Sequence, residues 1–150
     1  MTGTRADFGL LRPLLTELSR RADADLQLIV TGTHLSAAHG STVTEITAAG
    51  FDIAAEVSIW GDDDSSLAAA VDTGAAVSSF AKTLSALESD VVVVLGDRLE
   101  AFAMASAALI LQKPVAHIHG GELTLGAMDD SLRHAITKLS YLHFTTTEEH

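Results

Sequence analysis

Two short acid-bearing segments, LGDRLE at 95–100 and HIHGGE at 117–122, each follow a run of apolar residues that reads as a buried strand. Two such strands in one parallel sheet put Asp97 and Glu122 side by side at its carboxyl rim, the crevice where open α/β sheets bind ligands. Carboxylates in a partly dry cleft can have raised pKa values, so one can act as acid while another acts as base, and proton transfer is the expected chemistry. The plain alternative is that Asp97 caps the following helix, with Arg98 and Glu100 on the surface.

The second segment runs on as LTLGAMDDSLRH. Alternate side chains of a strand share a face, which puts His117 and His119 on one side. The paired Gly120 and Gly121 let the backbone approach a ligand or another chain closely. Asp129 and Asp130 open a helix in which Arg133 and His134 come one turn later, so that Asp130 either pairs with Arg133 at i,i+3 or caps the helix. The plain alternative for the HxH pair is packing inside the sheet with hydrogen bonds to main chain. Two imidazoles near carboxylates are also a pattern for zinc, iron or manganese. That reading ranks lower because His117 faces a strand interior and the acids are spread out, and no metal is expected. Arg5 before a helix is a candidate anion contact, whereas His34, in THLS, stands at another strand end as a polar contact or a cap.

Elements that could position these groups follow from periodicity. Leu10, Leu11, Leu14, Leu15 and Leu18 share a helical face after an opening loop. Strands are expected over Leu26 to Val30, Ile53 to Ile59, Val91 to Leu95, Val115 to Ile118 and near His143 to Thr145. Helices are expected over Ser41 to Ala48, Leu67 to Leu87 with Gly74 dividing it, Leu99 to Leu111 and Asp130 to Ser140. The acidic turn GDDDSS reads as a solvated loop whose last members cap the next helix, and a glycine-containing loop runs to about Asp129. Strands alternating with helices imply crossovers and a doubly wound parallel sheet. Both ends read as cut, since Thr2 to Gly9 has the character of a loop that follows a strand and TTTEEH that of a helix start.

Composition narrows the function. The 150 residues suit one domain with its own core, and 47% hydrophobic with 19% charged residues is a packed protein's balance. Without cysteine there are no disulfides, thiolate nucleophiles or zinc-thiolate sites. A formal charge of −11 repels phosphate backbones and anionic lipid, so neither nucleic acid nor membrane is expected as a partner. No apolar run is long enough to span a bilayer and the start lacks a signal pattern, so the reading is cytoplasmic. TGTRADFG is not GxGxxG and no acid stands after Val30 for a ribose, which disfavours a nicotinamide cofactor.

Taken together, TGTRADFGLL, TGTHLS, LGDRLE, HIHGGELTLGAMDDSLRHAITKLSYLHF and TTTEEH resemble the hydrolysing UDP-N-acetylglucosamine 2-epimerases, nearer the branch that makes N-acetylmannosamine for sialic acids. The resemblance implies an α/β, Rossmann-like first half of a glycosyltransferase-B-type fold, with this chain most of the N-terminal domain, lacking its first strand, and a second domain absent. It implies a UDP-sugar substrate, no redox cofactor, and a homo-oligomer, dimer or tetramer, at full length. By the same likeness Asp97, Glu122 and Asp130 are the catalytic acids. Arg5, His34, Arg98, His119, Gly121 and Arg133 would contact substrate. The implied reaction eliminates UDP to give 2-acetamidoglucal and then hydrates it, and this part alone is expected to be inactive. Related enzymes act on UDP-2,4-diacetamido sugars for legionaminic acid. A non-catalytic nucleotide-sugar binding domain is the alternative of a different class, and a metal-dependent hydrolase comes third.

Overall fold

Among the described residues every strand pairing is parallel, and each successive strand is reached through a helix. A computed structural model describes residues 1–36, 41–61, 63–123 and 128–150, which divide into two compact units, Met1–Ser58 and Ile59–His150. Part of the glycine-containing loop, 124–127, and Asp62 of the acidic turn lie outside the described residues.

In the first unit, α1 (Arg5–Arg20) leads to β1 (Leu28–Thr31), a 3-10 turn (Gly32–Leu35), α2 (Val43–Ala48) and β2 (Ile53–Val57). The first helix begins at Arg5, five residues before the leucine stripe, because Thr4 caps it and Asp7 reaches back to Gly3. The Thr4 hydroxyl accepts from the Asp7 amide at 3.2 Å, and the Asp7 carboxylate accepts from the Gly3 amide at 3.3 Å. Pro13 lies inside this helix without ending it. Its ring crowds the carbonyl four residues back, and that residue is Gly9, which adds no side chain to the crowding. β1 pairs with β2, and its other edge is met by a parallel bridge from Thr2 to Val30. Phe8, Leu11 and Leu15 of α1 bury with Leu28, Ile29 and Val30, with Ile46 of α2 and with Phe51, whose ring meets Phe8 edge to face at 5.8 Å.

The second unit runs α3 (Ser66–Leu87), β3 (Val92–Leu95), α4 (Leu99–Ile110), β4 (Val115–Ile118), α5 (Met128–Leu139) and β5 (Leu142–Phe144), with strand order β3-β4-β5. Ser65 caps α3 by accepting from the Ala68 amide at 3.2 Å, and Asp63 in turn holds Ser65. Gly74 does not divide α3, which is continuous over 22 residues. A glycine inside a helix costs about 1 kcal/mol, too little to break a helix with its own packed face. α4 packs on both α3 and α5 and buries Ala101, Ala103, Met104, Ala105, Ala107 and Ala108, small side chains that let neighbouring helices come close. The last strand is Leu142–Phe144, and 145–150 form bends and a turn where a helix start was expected. There the Thr147 hydroxyl engages His150 Nδ1 at 3.1 Å.

Among the described residues the strands pair in two parallel sheets, of two and three strands, with helices between successive strands as a doubly wound α/β fold requires. Among the described residues no helix is long and apolar enough to cross a membrane.

Candidate functional site

The carboxyl ends of β3 and β4 converge on one guanidinium, that of Arg133. Gly96, at φ +73°, turns the chain out of β3, and its amide donates to the Ile118 carbonyl at 2.9 Å, prolonging the β3-β4 ladder by one bond. Asp97 follows, partly buried. It is not a helix cap, because the cap position of α4 belongs to Arg98. Its carboxylate is bound by Arg133 Nη2, while Arg133 Nη1 donates to the Glu122 backbone carbonyl at 2.9 Å. The Arg133 side chain is 8% exposed and that of Asp97 is 22% exposed. Such a buried ion pair is costly to break from one side only, because the remaining charge is left without its counterpart.

Glu122 is gripped at both oxygens. His119 Nε2 lies 3.0 Å from Oε2, and the Thr146 hydroxyl, beyond β5, donates to Oε1 at 2.5 Å. The Thr146 hydrogen bond, then the charges of His119, His150 and Arg133, hold Glu122 below the usual carboxylate range against a smaller opposing effect of desolvation. The expectation of a raised carboxylate pKa is therefore corrected at Glu122: hydrogen bonding to the ionised form outweighs drying. Gly121 has φ +84°, and a side chain on it would run into the His150 backbone.

His117 and His119 do not behave as a face-sharing pair. The strand ends at Ile118, and His119 adopts a left-handed φ of +65°, so strand alternation no longer governs it. His117 is fully buried, with Nε2 2.7 Å from the Gly96 carbonyl and Nδ1 3.1 Å from the Thr137 hydroxyl. Burial, ahead of the opposing Gly96 carbonyl, pushes its pKa down. Among the described residues no three His, Asp or Glu side chains gather as a metal site.

Asp130 lies in the first turn of α5, one turn before Arg133, with its carboxylate 3.7 Å from His134 Nε2. α5 starts at Met128, so Asp129 and Asp130 are first-turn residues that favour the positive end of the helix rather than caps. Arg98 is half exposed and its Nε reaches Glu100 Oε1 at 3.0 Å. Glu100, expected at the surface, is buried.

Two of the candidate residues belong to the first unit. Arg5 is exposed and pairs with Glu45 at 3.0 Å. His34 is 1% exposed, its Nε2 lying 3.0 Å from the Thr2 hydroxyl and its Nδ1 2.7 Å from that of Thr42. Thr2 and Thr42 fill both nitrogens, so this imidazole ties Thr2 to Thr42.

Sequence reasoning did not single out Thr137 or Thr146. A run of threonines carries no signal by itself; the strand order that brings Thr146 to Glu122 supplies it.

The profile of the UDP-N-acetylglucosamine 2-epimerase family matches residues 16–150. The chain belongs to this family. It is 45% identical over 150 residues to a protein of Legionella pneumophila described as UDP-N,N'-diacetylbacillosamine 2-epimerase (hydrolyzing), covering 99% of this chain and 39% of that one. A Campylobacter jejuni protein described as GDP/UDP-N,N'-diacetylbacillosamine 2-epimerase (hydrolyzing) is 42% identical over 148 residues, with 99% and 38% covered. The crystal structure of UDP-GlcNAc 2-epimerase from Neisseria meningitidis, bound to UDP-GlcNAc, superposes with a TM-score of 0.84 at 24% identity, over 98% of this chain and 40% of that one. The fold is therefore α/β and Rossmann-like, matching the first half of a glycosyltransferase-B-type fold. The chain spans about two fifths of the length of these curated relatives.

Proposed function

We propose that this chain is most of the N-terminal domain of a hydrolysing UDP-sugar 2-epimerase. The reaction takes a UDP-2-acetamido sugar and water to the free 2-epimer and UDP. A base removes the C2 proton as the C1–O bond to UDP breaks, leaving 2-acetamidoglucal. Water then adds its oxygen to C1 while a proton returns to the opposite face of C2.

The observation that carries this reading is Arg133 holding the Asp97 carboxylate and the Glu122 carbonyl at once, which gathers two acid-bearing strand ends at one rim. Glu122, kept ionised by Thr146 and His119, suits the base, and Asp97 serves the elimination with it. Asp130, on the helix that carries Arg133, assists hydration. Arg5, Arg98 and His34 already have partners within the chain, Glu45, Glu100 and Thr2, which substrate binding would have to displace.

For the sugar, UDP-N-acetylglucosamine with N-acetylmannosamine as product is the first reading. A UDP-2,4-diacetamido sugar is the second, favoured by identities of 45% and 42% to the two diacetylbacillosamine epimerases. The full-length protein, incubated with each sugar in heavy water, is expected to release UDP and to place deuterium at C2 of the product. Asp97→Asn, Glu122→Gln and Asp130→Asn should each abolish at least one of the two steps. Retention of the nucleotide sugar without exchange or release would support a binding domain instead.

A further inference from the structure

Once Glu122 and Asp97 are placed, the buried His117, the first histidine of HIHGGE, is left without a part in the chemistry. The Gly96 carbonyl can only accept, so His117 Nε2 carries the proton of their 2.7 Å hydrogen bond. In the neutral ring Nδ1 is then an acceptor, and the Thr137 hydroxyl donates to it at 3.1 Å. Gly96 immediately precedes Asp97, and Thr137 lies one turn after Arg133 on α5. The Asp97 turn is thus fastened to α5 twice, through its side chain to Arg133 and through the preceding carbonyl to His117 and Thr137.

Gly120 locks this arrangement. A Cβ there would stand 2.8 Å from His117 Nδ1 and 2.9 Å from the Thr137 hydroxyl, tighter than real side chains allow. The glycine lets the loop close over the imidazole and its threonine partner.

We propose that His117 and Thr137 are positioning residues that hold Asp97 in register with Arg133 and Glu122 through the Gly96 carbonyl. Their kinetic signature rests on the epimerase reading above. Misplacing a reacting group by about 1 Å can cost roughly 100-fold in rate without weakening ground-state binding. Loss of the strut is therefore read in kcat rather than KM.

The test is Thr137→Val in the full-length protein, which keeps the volume and removes the hydroxyl, beside Thr137→Ser, which returns it. Thr137→Val should lower kcat about tenfold or more, with KM and Tm near wild type, and Thr137→Ser should restore the rate. Wild-type kcat in Thr137→Val overturns the proposal. So does a kcat loss that follows a fall in Tm and is not restored by serine, since that marks mere destabilisation. If the wild type shows no turnover, the epimerase reading fails by itself. The strut is then judged by a crystal structure of Thr137→Val, where a displaced Gly96–Asp97 turn upholds it and an unmoved Asp97–Arg133 pair refutes it.

Discussion

Glu122 shows how a single side chain can be prepared for one protonation state by its neighbours. The Thr146 hydroxyl is the first cause of its lowered pKa, with the nearby charges of His119, His150 and Arg133 adding to it. A carboxylate whose folded pKa is depressed contributes stability above its unfolded value, and that contribution is lost as pH falls through the folded pKa. Thr146→Val should therefore raise the Glu122 pKa toward its ordinary value of 4.5 and shift the acid limb of the pH–rate profile upward. A carboxyl-carbon NMR titration reads the change directly. An unmoved Glu122 resonance would mean that charge, and not the hydroxyl, sets its ionisation.

At the scale of elements, the order of strands and helices was legible because each carries its own period. The apolar runs at 92–95 and 115–118 needed no tertiary context, and the alanine-rich stretches could hardly be anything but helix. What periodicity could not give was the ends. α1 starts at Arg5 through a cap that lies outside the leucine stripe, and His119 leaves the strand rule because a positive φ follows Ile118. The candidate site was half legible for the same reason: Asp97 and Glu122 sit on turns tied to strands, whereas Thr146 and Thr137 join them only through pairing. Gly74 is the misleading case, since α3 passes through it unbroken with open space where a side chain would be. Gly74→Ala should accordingly stabilise the protein by about 0.5–1 kcal/mol, seen as a higher Tm or a higher denaturant midpoint. The opposite is expected inside α4. Ala105→Leu would force extra methylenes between helices and cost about 1–3 kcal/mol. A neutral result there would show that α4 is not closely packed against α3 and α5.

For the whole molecule, among the described residues the two compact units each contain one deeply buried imidazole, His34 in the first and His117 in the second. Burial lowers both pKa values from 6.5, and at His34 it outweighs the opposing charges of Asp7 and Glu45. In an unfolded chain these histidines take up protons as pH falls through about 6.5, before the folded state does. Stability is therefore fully present above that pH and declines as the solution is acidified toward the folded pKa values. The Tm of the protein should fall between pH 7.5 and pH 5.5, before most of its 20 acidic side chains begin to titrate. Imidazole proton resonances assigned to His34 and His117 should both titrate below 6.5, and their midpoints locate where each unit's contribution is lost. A flat Tm over that range, with either ring titrating at its ordinary value, would mean that water reaches these sites and that the hydrogen bonds at Thr2, Thr42, Gly96 and Thr137 do not hold the neutral form.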